Sequence, residues 1–144
     1  GKLSVRVTNV ADEQVTGWLD DRHNVSLNLT CLSEEDAAVS LWMHGEDFET
    51  DYYDNEVIRL KFDDEAPYTL EEAGGSSYNA YFFLTILWPP ASIAGSVRAF
   101  VDRLLNASTL LVELTPWNSY KQVVSFDLAG LALFVPELRE MCDW

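Results

Sequence analysis

Basic residues are scarce in this chain: nine lysines and arginines stand against 24 aspartates and glutamates in 144 residues, which gives a formal net charge of −15 at pH 7. Such a chain cannot assemble a basic face that releases counterions from a phosphate backbone, and this excludes a nucleic-acid partner. The charge also repels anionic lipid surfaces, and no apolar run approaches the roughly 20 residues that span a bilayer. We therefore expect no membrane insertion of the mature chain.

Recognisable catalytic motifs are also lacking. No serine lies in a G-x-S-x-G elbow, the Gly74-Gly75 pair is typical of a turn and not of a phosphate-binding loop, and only His23 and His44 could act as a base. We predict that the protein is not an enzyme.

Apolar residues, by contrast, are plentiful. Hydrophobic residues make up 48% of the chain and aromatic residues 12%, which is enough for an ordinary core in spite of the acidity. A length of 144 residues is typical of one domain, and no internal repeat, low-complexity tract or long linker divides the chain. We predict a single β-rich domain spanning residues 1–144.

Period-two alternation of apolar and polar residues predicts strands throughout the first half of the chain. The pattern occurs at residues 3–8, 25–31, 37–43 and 57–62. A short polar turn at residues 33–36 joins the second and third of these as a hairpin, so the topology should be antiparallel. Later strands are predicted at residues 78–84, 109–115 and 121–128.

Helical periodicity begins only after the Pro89-Pro90 break. Apolar residues at three- and four-residue spacing predict a helix from Ser92, as its N-cap, to about Leu105. A second helix is predicted over residues 131–141, with Pro136 at the start of its regular part. The fold class is therefore predicted to be mainly β (α+β): a two-sheet antiparallel β-sandwich-like core with two helices, one of them at the C-terminus.

The chain has only two cysteines, Cys31 and Cys142. Alternation places Cys31 on the inward face of its strand, and Cys142 lies at the end of the second predicted helix, where a covalent tether would prevent fraying. A disulfide between them would close a loop of more than one hundred residues, worth about 4 to 5 kcal/mol in the chain-entropy model; two unrelated buried thiols are the alternative. The disulfide, together with the absence of a charged and apolar leader before Gly1, predicts a periplasmic or secreted protein.

Several short segments follow one another in a fixed order: Leu27 to Cys31, Ala38 to Met43, Ser76 to Phe83, Arg103 to Leu105, Leu111 to Asn118, Ser125 to Leu131, and Leu138 to Trp144. This series resembles the bacterial TagO/VasI-like proteins, which are associated with type VI secretion, and their periplasmic relatives. The resemblance implies an exported β-rich domain with a bridge between Cys31 and Cys142. It also implies an accessory role that is exerted through contacts with other molecules.

Two further groups of residues are candidates for binding. Five tryptophans are many for this length, and tryptophan is favoured at binding hot spots as well as in cores. Trp42 should point away from the inward face of its strand, which makes it a candidate contact residue, although burial under the first helix is the alternative. Trp117, in the turn that follows Pro116, is the second candidate.

The second group is an acidic segment over residues 46–56. Its carboxylates are hard oxygen ligands of the kind that calcium prefers, and the candidates are Asp47, Glu49, Asp51 and Asp54. Their spacing is not that of an EF-hand, so a solvated acidic loop is the alternative interpretation. No other cofactor is expected.

Two main function classes follow from these observations. The first is an exported accessory or interaction domain that acts by contacts with a protein partner and not by catalysis. The second is an acidic inhibitor or immunity-type protein that neutralises a basic partner, with association steered by charge. A binder of cell-wall glycans is a third possibility.

Overall fold

The computed structural model describes residues 5–33, 36–44, 58–70, 81–83, 100–116 and 118–142. Two helices lie in these ranges: α1 over residues 100–105, and α2 over Val135–Cys142, which follows a 3-10 turn at Leu131–Leu133. The strands are β1 (Val5–Val10), β2 (Val15–Thr16), β3 (Arg22–His23), β4 (Val25–Ser33), β5 (Asp36–Met43), β6 (Ile58–Phe62), β7 (Tyr68–Leu70), β8 (Tyr81–Phe83), β9 (Thr109–Leu114) and β10 (Gln122–Asp127).

The strands form three antiparallel sheets. Sheet 1 has the order β1-β4-β5-β8, sheet 2 has the order β10-β9-β6-β7, and β2 pairs with β3 in a small hairpin. The predicted fold class, mainly β with antiparallel sheets and two small helices of which one is C-terminal, is confirmed.

One hydrophobic core receives the inward faces of both four-stranded sheets. The alternation in β6 buries Ile58, Leu60 and Phe62 and leaves Arg59 exposed. The core side chains with no more than 1% exposure include Val25, Leu27, Leu29, Val39, Leu41, Met43, Ile58, Leu60, Phe62, Leu110, Val112, Leu114, Val124 and Phe126. Full burial of one such side chain stabilises a fold by about 1.5–3 kcal/mol, so this period-two pattern is what specifies the sheets.

Helix α1 is attached to sheet 2 through an aromatic contact. The rings of Phe62 and Phe100 lie edge to face with their centroids 5.9 Å apart, and both side chains are buried. The Arg103 guanidinium carbon lies 4.8 Å from the centre of the Phe62 ring, and its Nη2 pairs with the Glu65 carboxylate. A cation over the ring face adds attraction to the apolar contact, so this helix and β6 pack as one unit.

A single carboxylate fixes the chain between α1 and β9. Asp63 follows β6 with a positive φ of 47°, a conformation that aspartate tolerates better than most residues. Its Oδ1 accepts the backbone N–H groups of Ser108 at 3.0 Å and Thr109 at 2.9 Å, while its own N–H donates to the Thr109 carbonyl at 3.0 Å. The start of β9 is thereby tied to the end of β6.

The segment after β1 crosses from sheet 1 to the outer side of β10. The Ala11 N–H donates to Val25 of β4, and the next N–H, from Asp12, donates to the Ser125 carbonyl at 2.9 Å. The Glu13 carboxylate then accepts the backbone N–H of Ser125 at 2.6 Å and its hydroxyl at 2.7 Å. Partial burial acts to raise the pKa of the Glu13 carboxyl, but the hydrogen bonds from Ser125 outweigh this and hold the pKa below its ordinary value.

We expect Glu13→Gln to lower the free energy of unfolding by about 0.5–1 kcal/mol at neutral pH, because a charged acceptor at an exposed site becomes neutral. A carboxyl whose pKa is lower in the folded state stabilises the fold above its unfolded pKa of about 4.3. This stabilisation is lost as the pH falls through the folded value. The difference in unfolding free energy between wild type and variant, measured by urea unfolding, should therefore become smaller as the pH is lowered from about 7 to about 3.

The matched control is Glu140→Gln, which removes an exposed carboxylate from α2. It should change the unfolding free energy by no more than about 0.5 kcal/mol at neutral pH. If the difference in unfolding free energy between wild type and Glu13→Gln keeps its full size at low pH, the charge of Glu13 is not the source of that difference.

Element boundaries differ from the sequence-based expectations in two places. The first strand, predicted over residues 3–8, covers Val5–Val10 and so ends two residues later than expected, while residues 3 and 4 lie outside the described ranges. The predicted helix over residues 131–141 is divided into a 3-10 turn and α2, because Pro136 has no N–H to donate to an earlier turn and is accommodated only near a helix start. The helix predicted from Ser92 is confirmed over residues 100–105, while residues 92–99 lie outside the described ranges.

Candidate functional site

Trp42 lies on the outer face of sheet 1, as strand alternation predicts. Val39, Leu41 and Met43 are fully buried on the core side of β5, whereas Trp42 is half-buried on the opposite side. Its ring is 3.7 Å from the His44 ring, centroid to centroid, with the planes tilted by 36°. The contact role of Trp42 stays a prediction.

A hydrogen-bonded polar network accompanies Trp42 on this face. The Ser26 hydroxyl lies 3.1 Å from His44 Nε2 and accepts from Asn28 Nδ2 at 3.3 Å. Asn28 Oδ1 in turn accepts the Thr8 hydroxyl at 3.0 Å. Ser26 and Asn28 are both buried, so the network satisfies polar groups that would otherwise destabilise a central strand.

The Ser26 and His44 pair has the residue types of a nucleophile and its base. However, the Ser26 side chain has no exposed surface, and its oxygen is already used as a hydrogen-bond acceptor. A buried serine with these hydrogen bonds organises β4 and the end of β5. The prediction that the protein is not an enzyme rests on the sequence and stays a prediction.

A second surface is formed by two turns at one end of the molecule, which we name the turn end and define by Trp18, Leu19 and Tyr120. All three side chains are exposed, by 47%, 67% and 61% respectively. Trp18 and Leu19 lie in the turn between β2 and β3, and Tyr120 lies in the turn between β9 and β10. Three exposed large apolar side chains on two turns that are hydrogen-bonded to each other are candidates for contact with a partner.

Hydrogen bonds through Thr16 hold the two turns together. The Thr16 N–H donates to Gln122 Oε1 at 2.8 Å, and the Thr16 carbonyl accepts from Gln122 Nε2 at 2.8 Å. The same carbonyl accepts the Ser119 hydroxyl at 2.9 Å. The turn end is therefore anchored on both sides by strands and does not depend on loop residues alone for its position.

The β2–β3 turn is closed by its own contacts. The Gly17 N–H donates to the Asp21 carbonyl at 2.8 Å, and Asp20 adopts a positive φ of 63°. The ring of His23 links the turn to β5, with Nε2 at 2.8 Å from the Asp21 carboxylate and Nδ1 at 2.8 Å from the His44 carbonyl. These contacts define the backbone path that presents Trp18 and Leu19.

The sequence did not single out the turn end. Trp18 and Leu19 were not distinguished from core residues because two-residue strands carry no measurable periodicity. The available signal was the turn chemistry around them: Gly17 precedes the pair and two aspartates follow it, and these residue types favour turns.

Several predicted site residues lie outside the described ranges. These are the second candidate contact residue and the candidate calcium ligands: Trp117, Asp47, Glu49, Asp51 and Asp54. Within the described ranges, no three histidine, cysteine or acidic side chains come together in a way that could hold a metal ion. The calcium hypothesis concerns a different segment and stays a prediction.

Of the two cysteines, Cys31 has a described side chain. It has no exposed surface and is not a free thiol. Cys142 is the last residue of α2, which packs against β4, the strand that carries Cys31. The pairing of the two sulfurs stays a prediction.

Comparison with protein-family models, with curated proteins and with solved structures finds no match to this chain. The resemblance to TagO/VasI-like proteins is therefore still an expectation from the sequence. Within the described ranges, neither helix has the length and apolar content that crossing a membrane requires.

Proposed function

We propose that the protein is an exported interaction domain, periplasmic or secreted, that acts by contacts with another protein and not by catalysis. The observation that carries this proposal is the turn end, where Trp18, Leu19 and Tyr120 are exposed on a hydrogen-bonded framework. An accessory role of the kind associated with TagO/VasI-like proteins is part of the same proposal. The export assignment is supported by Cys31, which is not a free thiol.

The geometry of the turn end suits recognition of a protein surface. Tryptophan and tyrosine are enriched among residues that contribute most to binding, because they bury a large area with few rotatable bonds. Since the hydrogen bonds of Thr16 hold both turns in place, little conformational entropy remains to be lost on binding. A net charge of −15 favours a partner whose contacting surface is basic.

A second candidate is the acidic inhibitor or immunity-type protein that neutralises a basic partner. Asp20 and Asp21 lie on the same turn as Trp18 and favour this interpretation. The two candidates differ in their response to salt, because steered association between opposite charges is screened beyond about 10 Å at 0.1 M ionic strength. An inhibitor should lose association rate steeply as salt is added, whereas an accessory domain that docks mainly through its aromatic residues should not.

The partner can be identified by photo-cross-linking of the full chain in its own cells. A photoreactive residue at position 19 should yield a single discrete cross-linked protein, because Leu19 is the most exposed residue of the turn end. The same residue at position 140, where an exposed glutamate lies on α2, should not. Equal cross-linking from both positions, or none from position 19, would contradict the proposal.

With that partner in hand, truncation of the turn end should weaken binding. The double variant Trp18→Ala, Tyr120→Ala is expected to raise the dissociation constant by about tenfold or more, as measured by surface plasmon resonance. Leu133→Ala is the matched control, because Leu133 is a large apolar side chain that is 79% exposed on a different part of the surface. If Leu133→Ala weakens binding as much as the double variant, the contact surface has been misassigned.

A further inference from the structure

A shallow groove lies on the outer face of sheet 2, the face directed away from the core. Cross-strand register places Arg59 of β6 opposite Glu113 of β9, and Glu113 opposite Val123 of β10. In the next row, Lys61 lies opposite Leu111. The groove has a volume of about 190 Å³ and is lined by Arg59, Lys61, Pro67, Leu111, Glu113 and Val123.

The charge of this groove is opposite to that of the chain. Arg59 Nη1 and Lys121 Nζ both approach the Glu113 carboxylate, at 3.8 Å and 3.5 Å, and Lys61 lies beside them. Around Glu113, three cations stand against one carboxylate, which gives this part of the surface a local excess of positive charge, although the chain carries a net charge of −15. The structure describes the side chains of six cationic residues, and three of them are here.

Two of the three cations, Arg59 and Lys61, lie on β6, and Lys121 directly precedes β10. At the opposite side, along β10, the Asp12 and Glu13 carboxylates are held on Ser125. Glu113 is shared by two cations, whereas within the described ranges no carboxylate approaches Lys61 within 4.0 Å. Lys61 is therefore the group that can accept an anionic ligand without breaking an existing pair.

The floor between these charges is apolar. Leu111 is half-buried, and Val123 is 53% exposed on the neighbouring strand. The volume is smaller than the roughly 300–1,000 Å³ of most small-molecule sites, so the groove suits a short piece of an extended chain. If an aliphatic side chain of a bound segment packs on this floor, a carboxylate next to it in that segment can reach Arg59 and Lys61 of β6.

We propose that this groove binds an acidic segment of a partner protein. One aspartate or glutamate carboxylate of that segment pairs with Lys61 and Arg59, and an adjacent aliphatic side chain packs on Leu111 and Val123. The net charge of −15 repels an acidic segment, whereas the cations of this groove attract it. None of the residues that line the groove belongs to the turn end, and neither proposal depends on the other.

The test uses the full chain labelled with ¹⁵N and two synthetic peptides. The first alternates leucine and aspartate, and the second has asparagine at every aspartate position. Titration with the aspartate peptide should shift the backbone amide resonances of Lys61, Leu111 and Val123, and the asparagine peptide should bind at least about fivefold more weakly. No amide shift at these residues up to millimolar peptide would overturn the proposal.

Substitutions separate a local contact from a general charge effect. Lys61→Gln should weaken binding of the aspartate peptide about fivefold, whereas Arg22→Gln, which removes an exposed charge from the β2–β3 hairpin, should change it less than about twofold. Equal weakening by both variants would assign the affinity to net charge and overturn the proposal. The double variant Trp18→Ala, Tyr120→Ala should bind this peptide as wild type does, so failure of either proposed surface can be recognised independently.

Discussion

Replacement of Cys142 by serine should lower the free energy of unfolding by about 2–4 kcal/mol, because we expect Cys142 to form a disulfide with Cys31. The chain has no other cysteine, Cys31 is buried and is not a free thiol, and α2 packs against the strand that carries Cys31. A disulfide across more than one hundred residues acts mainly by restricting the unfolded chain. The effect should appear in urea unfolding under oxidising conditions.

The loss should be uneven across the fold. Without the tether, α2 should become less protected from amide hydrogen exchange, since it is short and terminal, while β4 and β9 should keep their protection. Reduction of the wild-type protein should reproduce the variant's stability, and reductant added to the variant should change nothing. Two titratable thiols per chain in denaturant without reductant would contradict the disulfide and, with it, the assignment to an oxidising compartment.

Replacement of the exposed Asp63 by alanine should lower the free energy of unfolding by about 2 kcal/mol. The variant loses the carboxylate that accepts the N–H groups of Ser108 and Thr109, and it places an alanine at a positive φ. Urea unfolding should show a lower midpoint with an unchanged slope, because the native and unfolded states keep their exposed areas.

Two variants divide this effect into its causes. Asp63→Gly relieves the backbone strain but still lacks the hydrogen-bond acceptor. It should therefore recover only the part of the lost stability that is due to the positive φ. Asp64→Ala changes the adjacent exposed aspartate and should cost no more than about 0.5 kcal/mol. If Asp64→Ala matches Asp63→Ala, the hydrogen bonds to the start of β9 do not matter.

Strand β4 shows what alternation can and cannot predict. The apolar positions Val25, Leu27, Leu29 and Cys31 predicted a strand with one face in the core, and that prediction is confirmed. The same pattern assigns Ser26 and Asn28 to a solvated face, yet both are buried. Their polar groups tolerate burial because residues distant in the sequence complete their hydrogen bonds: His44 contacts Ser26, and Thr8 contacts Asn28. Period-two spacing within β4 carries no information about such distant partners.

Short elements were missed for a different physical reason. Strands β2, β3 and β7 contain two or three residues, so neither periodicity nor propensity can separate them from loops. The β2–β3 hairpin forms because Val15 is fully buried and Asp20 accepts a turn conformation, and both are tertiary or local effects at single positions. The turn end was missed together with this hairpin.

The contact between Glu13 and β10 has a consequence for self-association. Strand β10 is the outer strand of sheet 2, and an outer strand exposes amide groups on which a strand of another molecule can add. At Ser125 both the N–H and the carbonyl are already occupied, by Glu13 and Asp12. An incoming chain would have to displace the Glu13 carboxylate and the Asp12 N–H before it could pair with β10 at Ser125, so the segment after β1 blocks strand addition at this position.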